Sequence, residues 1–192
     1  DAVDVAIAFA KTHPEETLIL VTGDHETGGL TIGYAGTDYD TYLANLQNQK
    51  ISYAKYDSDY VAAYKENGTS FEDVLKDVEA LFGLKAEGDA EADKLVLNEY
   101  ELGLLKSAYD KTMAAEAAEL TQAEYILYGT YEPLSVTITH LLNNKSGINF
   151  ASYAHTGLPV AVFAEGAGQE QFEGYYDNTE IYAKLAALLN VA

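Results

Sequence analysis

The chain has 192 residues, 48% of them hydrophobic, which suffices for one packed domain or a core carrying an insertion. Eleven Lys and Arg against 31 Asp and Glu give a formal charge of −20, which leaves no basic patch for nucleic acid. There is no cysteine, so disulfides and thiolate zinc sites are excluded, and no apolar run is long enough to span a bilayer.

Residues 2–12 carry apolar side chains at Val3, Ile7 and Ala10, with Ala6 and Phe9 beside them. The spacing predicts a helix, and Pro14 stops it. Thr17 to Thr22 reads as a strand, with the apolar run Leu18–Val21 buried on both faces. Gly23 ends that strand. Helix, short loop and strand make half of a βαβ unit without its first strand. The chain is therefore expected to be a piece of something larger; no signal peptide is visible at its start. Leu30 to Ala35 alternates loosely, as a short strand would, and a loop follows to Asp40.

From there to about Glu132 the composition shifts to Tyr, Ala, Asp and Glu with helical spacing. Tyr42, Leu43 and Leu46 mark a short helix. Tyr56 to Glu66 is another, ended by Asn67-Gly68. Ser70 is placed to cap a third, with Asp73 at its third helical position and Val74, Leu75, Val78, Leu81 and Phe82 as its inward stripe. Gly83 ends it. Residues 85–94 are charged and expected to be exposed. One long helix, or two, should run from Leu97 to Glu119. Thr121 and Glu124 form a capping box for a helix to Tyr128. The middle, 37–132, reads as a mainly helical insertion between core α/β segments at 1–36 and 133–192.

Pro133 at a first turn and Leu134 to Asn143 predict a helix packed back on the core. Asn149 to Tyr153 reads as a strand, and Leu158 to Ala164 as another, with Val160, Val162 and Phe163 for burial. Asp177 is placed to cap the last helix, with Glu180 reaching back. Ile181, Leu185, Leu188 and Leu189 form its inward stripe.

Two places carry candidate chemistry. Asp24 and His25 stand just past the end of the first strand, before the flexible Thr27-Gly28-Gly29 turn. In open α/β sheets ligands gather outside the carboxyl ends of strands. Carboxylate oxygen with imidazole nitrogen suits zinc. From the pair alone, an Asp capping the next turn and a His bonded to a neighbouring loop is slightly the better reading. His155, before Thr156-Gly157, is the second place; a lone loop histidine is usually only hydrogen-bonded. His13 at a helix end and His140 inside a helix read as exposed and structural. Asp57-Ser58-Asp59 opens like a calcium loop but lacks its glycine and terminal glutamate. Asn67-Gly68-Thr69 matches a glycosylation sequon by pattern only. The sixteen tyrosines, mainly in the helical middle, suit packing better than catalysis.

Thr22-Gly23-Asp24-His25-Glu26-Thr27-Gly28-Gly29 resembles the Asp-His metal motif of bacterial alkaline phosphatases. Ser152-Tyr153-Ala154-His155-Thr156-Gly157-Leu158-Pro159-Val160 is similar to the family's late zinc histidine and the strand after it. Phe172 to Ile181 resembles its closing loop and last helix. The three matches fall in the family's order and cover the first and last thirds of the chain. The resemblance implies an alkaline phosphatase-like core sheet with helices on both faces, of which this chain is the C-terminal part.

By the resemblance, Asp24 and His25 are ligands of one zinc in a two-zinc site, and His155 is a ligand of the other. The nucleophilic serine, the phosphate-clamping arginine, the remaining zinc ligands and most magnesium ligands would lie upstream. The parent would hydrolyse phosphate monoesters through a phosphoserine, and the chain alone would be inactive. A bound zinc can reverse the local sign of a body this acidic. Implied partners are the phosphate monoester, the missing N-terminal portion and a further copy of the chain, in the periplasm or outside the cell. A related two-metal phosphodiesterase, sulfatase or phosphomutase stays open as an alternative. So does a metal-free acidic interaction module.

Overall fold

The computed structural model describes residues 1–114 and 119–191. In chain order, helix α1 (Ala2–Ala10) leads to strand β1 (Leu18–Val21) and the short strand β2 (Thr31–Ile32). Helices α2 (Tyr53–Tyr56), α3 (Ala62–Asn67), α4 (Phe71–Phe82), α5 (Glu99–Met113), α6 (Gln122–Tyr128) and α7 (Pro133–Lys145) follow. Strands β3 (Ile148–Asn149) and β4 (Phe163–Gly166) precede the last helix, α8 (Glu180–Leu189). The class is α/β, with more helix than strand. The chain divides into two compact units, one of residues 1–29 with 154–192 and one of residues 30–153.

In the first unit β1 pairs antiparallel with β4, Leu18 opposite Gly166 and Val21 opposite Phe163. Neither face of this two-stranded ribbon is fully covered. Leu18 to Leu20 are half-buried and Val21 is 38% exposed, which corrects the expected double burial. The expected strand at 158–164 is likewise corrected. Its ladder begins only at Phe163, which is 67% exposed because its side of the ribbon has no cover. Helix α1 is apolar yet buries none of its residues. In α8 the stripe Ile181, Leu185 and Leu188 is half-buried, and Leu189 is exposed. The expected cap at Asp177 is displaced: α8 starts after Thr179, whose side chain makes no cap bond, and Asp177 and Glu180 instead bond across the preceding turn. Asp177 Oδ1 accepts the Thr179 amide at 2.9 Å, and Glu180 Oε1 accepts the Asp177 amide at 3.1 Å.

In the second unit α7 is the spine. Pro133 occupies its first turn, where its missing N–H costs nothing. Leu134, Ile138, Leu141 and Leu142 recur at helical spacing and are buried against α5, α4 and α2. Helix α4 matches its sequence signals closely. The Ser70 side chain accepts the Asp73 amide, Val74, Val78 and Phe82 are buried, and Gly83 adopts a left-handed φ of 73°. Thr121 and Glu124 form the expected reciprocal box at α6. A second box, Asn98 with Glu101, starts α5. Of the helix expected over 97–119, residues 115–118 lie outside the described residues.

The helix expected at 56–66 is present and somewhat longer, running without interruption from Tyr53 to Asn67. Ser52 caps α2, a wide π turn runs over Asp57–Val61, and α3 ends at Gly68. The strands expected at 30–35 and 149–153 shrink to the two-residue pair β2 and β3, with Thr31 opposite Asn149. The short helix expected at 42–46 is a tight 3₁₀ segment, Leu43–Asn48.

Candidate metal centre

Strand β1 ends at Val21, and the chain then turns through Gly23 to Asp24 and His25. The Asp24 Oδ1 accepts the His25 amide at 3.0 Å, so the carboxylate folds over its own turn. Gly28 and Gly29 follow with φ of 102° and 70° and are both buried. Side chains other than glycine rarely adopt that backbone. This turn carries the His25 loop back toward the 154–157 segment of the same unit.

There the rings of His25 and His155 stack, centroids 3.4 Å apart and planes inclined by 22°. The two family motifs, far apart in sequence, meet in space. His25 Nδ1 lies 2.6 Å from the Glu26 carbonyl oxygen. A carbonyl only accepts, so Nδ1 carries the proton and, in the neutral ring, Nε2 keeps its lone pair. That is the tautomer a metal-binding imidazole adopts when a carbonyl orients it. Nε2 faces Asp24 Oδ1 at 3.6 Å, and the Asp24 side chain is 90% exposed. Nitrogen and oxygen ligands of zinc sit about 2.0–2.2 Å from the ion, so a 3.6 Å gap is one that two ligands of one cation span.

The stacking constrains what His155 could hold. An imidazole lone pair lies in its ring plane, and two nearly parallel planes do not meet at one ion. The pair suits two neighbouring cations, Asp24 and His25 on one and His155 on the other. Three donors fall short of the roughly six that two such ions need. Among the described residues, no group of three or more His, Cys, Asp or Glu side chains is gathered as a metal site.

Glu26 is the residue that sequence reasoning left without a role. Its Oε2 accepts the Gly29 amide at 2.5 Å, and its Oε1 accepts the amide of Thr156, 130 positions away. Burial would raise the Glu26 carboxyl, but the amides of Gly29 and Thr156 that it accepts hold it below the usual carboxylate range. The Thr156 hydroxyl itself is buried and has no hydrogen-bond partner among the described residues. The local half of this arrangement is legible: a Glu three residues before a glycine can reach that glycine's amide. The half that reaches Thr156 has no sequence signal.

The remaining histidines have other ring partners. His13 is exposed and stacks on Phe9 with centroids 4.2 Å apart. His140, on α7, stacks on Tyr153, and burial lowers its pKa. A cavity of about 810 Å³ in the 30–153 unit is lined by residues that include Tyr34, Tyr100, Tyr128, His140 and Lys145; Asp24, His25 and His155 do not line it.

The model of the alkaline phosphatase family matches residues 1–191. The chain belongs to the alkaline phosphatase family. It is 29% identical over 180 residues to alkaline phosphatase 3 of Bacillus subtilis, covering 94% of this chain and 31% of that protein. It is 29% identical over 179 residues to alkaline phosphatase 4 of the same organism, covering 93% and 31%. Among solved structures, the crystal structure of a cold-active alkaline phosphatase from a psychrophilic Shewanella species aligns with a TM-score of 0.66. It shares 26% identity and covers 98% of this chain and 37% of that one. The chain thus spans about a third of the length of the curated relatives it matches.

Proposed function

We propose that this chain is part of a zinc-dependent alkaline phosphatase that hydrolyses phosphate monoesters through a phosphoserine intermediate. It contributes Asp24 and His25 to one zinc site and His155 to the other. The nucleophile and the remaining ligands, including most of those for magnesium, belong to the rest of the phosphatase polypeptide. The observation that carries this reading is the meeting of His25 and His155 at 3.4 Å. Family membership supports a phosphatase reaction.

Zinc, when bound, supplies Lewis acidity that neutralises charge on phosphoryl and leaving oxygens. The residues of this chain do the holding. Asp24 adds one negative charge and an exposed oxygen. His25 presents Nε2 because its Nδ1 proton is engaged by the Glu26 carbonyl. His155 presents a donor in a neighbouring, nearly parallel plane. Preorganised ligands of this kind add electrostatic stabilisation without reorganisation at the moment of reaction.

The apolar faces of α1 and β4 support the remaining partners in this proposal, the rest of the polypeptide and a second copy. Export to the periplasm or beyond the cell follows the family. Among the described residues no helix is long and apolar enough to cross a membrane.

Calorimetric titration of the chain with zinc tests the ligand assignment. His25→Ala and His155→Ala should each weaken binding at least 10-fold, and equal affinity in all three proteins would overturn it. With zinc and magnesium added, the 192-residue chain should leave p-nitrophenyl phosphate intact. The full-length phosphatase should cleave it, in preference to a diester or a sulfate ester.

A further inference from the structure

Glu26 has three acceptors, and each is used at a different point of the candidate centre. Its carbonyl fixes the Nδ1 proton of His25, Oε2 takes the Gly29 amide of the same loop, and Oε1 takes the Thr156 amide next to His155. The side chain is half-buried, and the two amides are the partners that an anion in a tight turn needs. The stack of the two histidine rings joins the same two loops.

The geometry points to Glu26 as a positioning residue: its carboxylate clasps the loop of His25 to the loop of His155 and thereby sets the spacing of the two imidazoles. The inference deepens the zinc reading above and rests on it for its metal-binding consequence. Glu26 does not touch the ion in this scheme. It acts through the two histidines, as outer partners of metal ligands do. A glutamine in its place keeps the shape and one carbonyl oxygen. Its amide nitrogen is a donor, however, and would face a backbone N–H where Oε1 or Oε2 now accepts. One of the two arms must then open.

The full chain and its Glu26→Gln variant would be compared by NMR without metal and by calorimetry with zinc. Without metal, the wild type should show a nuclear Overhauser contact between the His25 and His155 rings and slow exchange of the Thr156 amide. Glu26→Gln should lose both while the dispersed signals of the 30–153 unit are unchanged. With zinc, the variant should bind about 10–100-fold more weakly. A wild type whose Thr156 amide exchanges at the free-peptide rate would overturn the clasp without any variant. So would a Glu26→Gln protein that keeps the ring contact. If His25→Ala loses zinc and Glu26→Gln does not, the clasp fails and the zinc reading stands. If no form binds zinc but the ring contact disappears in Glu26→Gln, the clasp stands and the zinc reading fails.

Discussion

The 30–153 unit and the unit built from 1–29 and 154–192 are held together by different means. Every member of the main apolar cluster lies in the first of these, from Tyr56 through Phe82 and Leu105 to Leu142. The second buries Phe172, while Val5, Phe9, Phe163 and Leu189 are each more than half exposed. What orders it is polar: the ladder of β1 with β4, the Asp177–Glu180 turn before α8, and the Glu26 carboxylate between two loops. The packed unit has the buried apolar core and the sparsely packed one has the candidate chemistry. Sites that must bind and release are commonly drawn from the less stable parts of a fold.

The sharpest way to break this contrast is truncation of large side chains. Phe82 is fully buried, so Phe82→Ala should cost about 3–5 kcal/mol, read as a lowered urea midpoint. Val5 is 72% exposed, and Val5→Ala should stay within about 0.5 kcal/mol. Hydrogen exchange gives the same contrast residue by residue. Amides of Leu18–Val21 should exchange well before those of α7. Equal protection in the two units would remove the distinction.

A smaller effect is expected from the polar chain inside the packed unit. The Tyr64 hydroxyl donates to Asp77 Oδ2 at 2.8 Å and lies 3.3 Å from the Tyr56 hydroxyl. Tyr64→Phe leaves both neighbours short of a partner and should cost about 1–3 kcal/mol by chemical denaturation. Smaller again is the loss of a cap. Asn98→Ala should cost about 1 kcal/mol, because Asn98 and Glu101 satisfy each other's amides at the start of α5. Glu101 also holds Lys145 at 2.8 Å, which ties that cap to the end of α7. An Asn98→Ala protein as stable as the wild type would show that packing alone sets α5.

What was legible follows the range of the interactions. Helices α4, α6 and α7 show themselves in sequence because a cap, a stripe and a stop lie within a few residues of one another. The π turn at Asp57–Val61 does not, since no residue there marks the switch to wider hydrogen-bond spacing. The strands were placed but their ends were not. The ladder at Phe163–Gly166 is fixed by its partner on β1, far away in sequence. At the candidate centre, Asp24, His25 and His155 are visible as motif residues, whereas their spacing is not. Glu26 is visible as a letter of the motif and becomes a link only through Thr156.

The smallest expected effect tests whether the packed unit is uniformly well satisfied. Asp57, on the π turn, has a buried Oδ1 without a hydrogen-bond partner among the described residues. Burial raises its carboxyl above the ordinary 3.8, and the Glu132 charge adds to this; the Ser135 hydroxyl and Lys65 offset part of it. A carboxyl raised in the folded state binds its proton more tightly there than in the unfolded chain. Stability therefore falls as pH rises through the window above 3.8, and the loss persists at neutral pH. Asp57→Asn removes the charge and that window with it. The variant should match the wild type at pH 3.5 and exceed it at pH 7. The gain should be less than about 1 kcal/mol, because water still reaches the group. A gain of equal size at both pH values would assign the effect to packing. A loss at pH 7 would mean that Lys65 outweighs burial, and that the 30–153 unit, like its neighbour, depends on a charge for its shape.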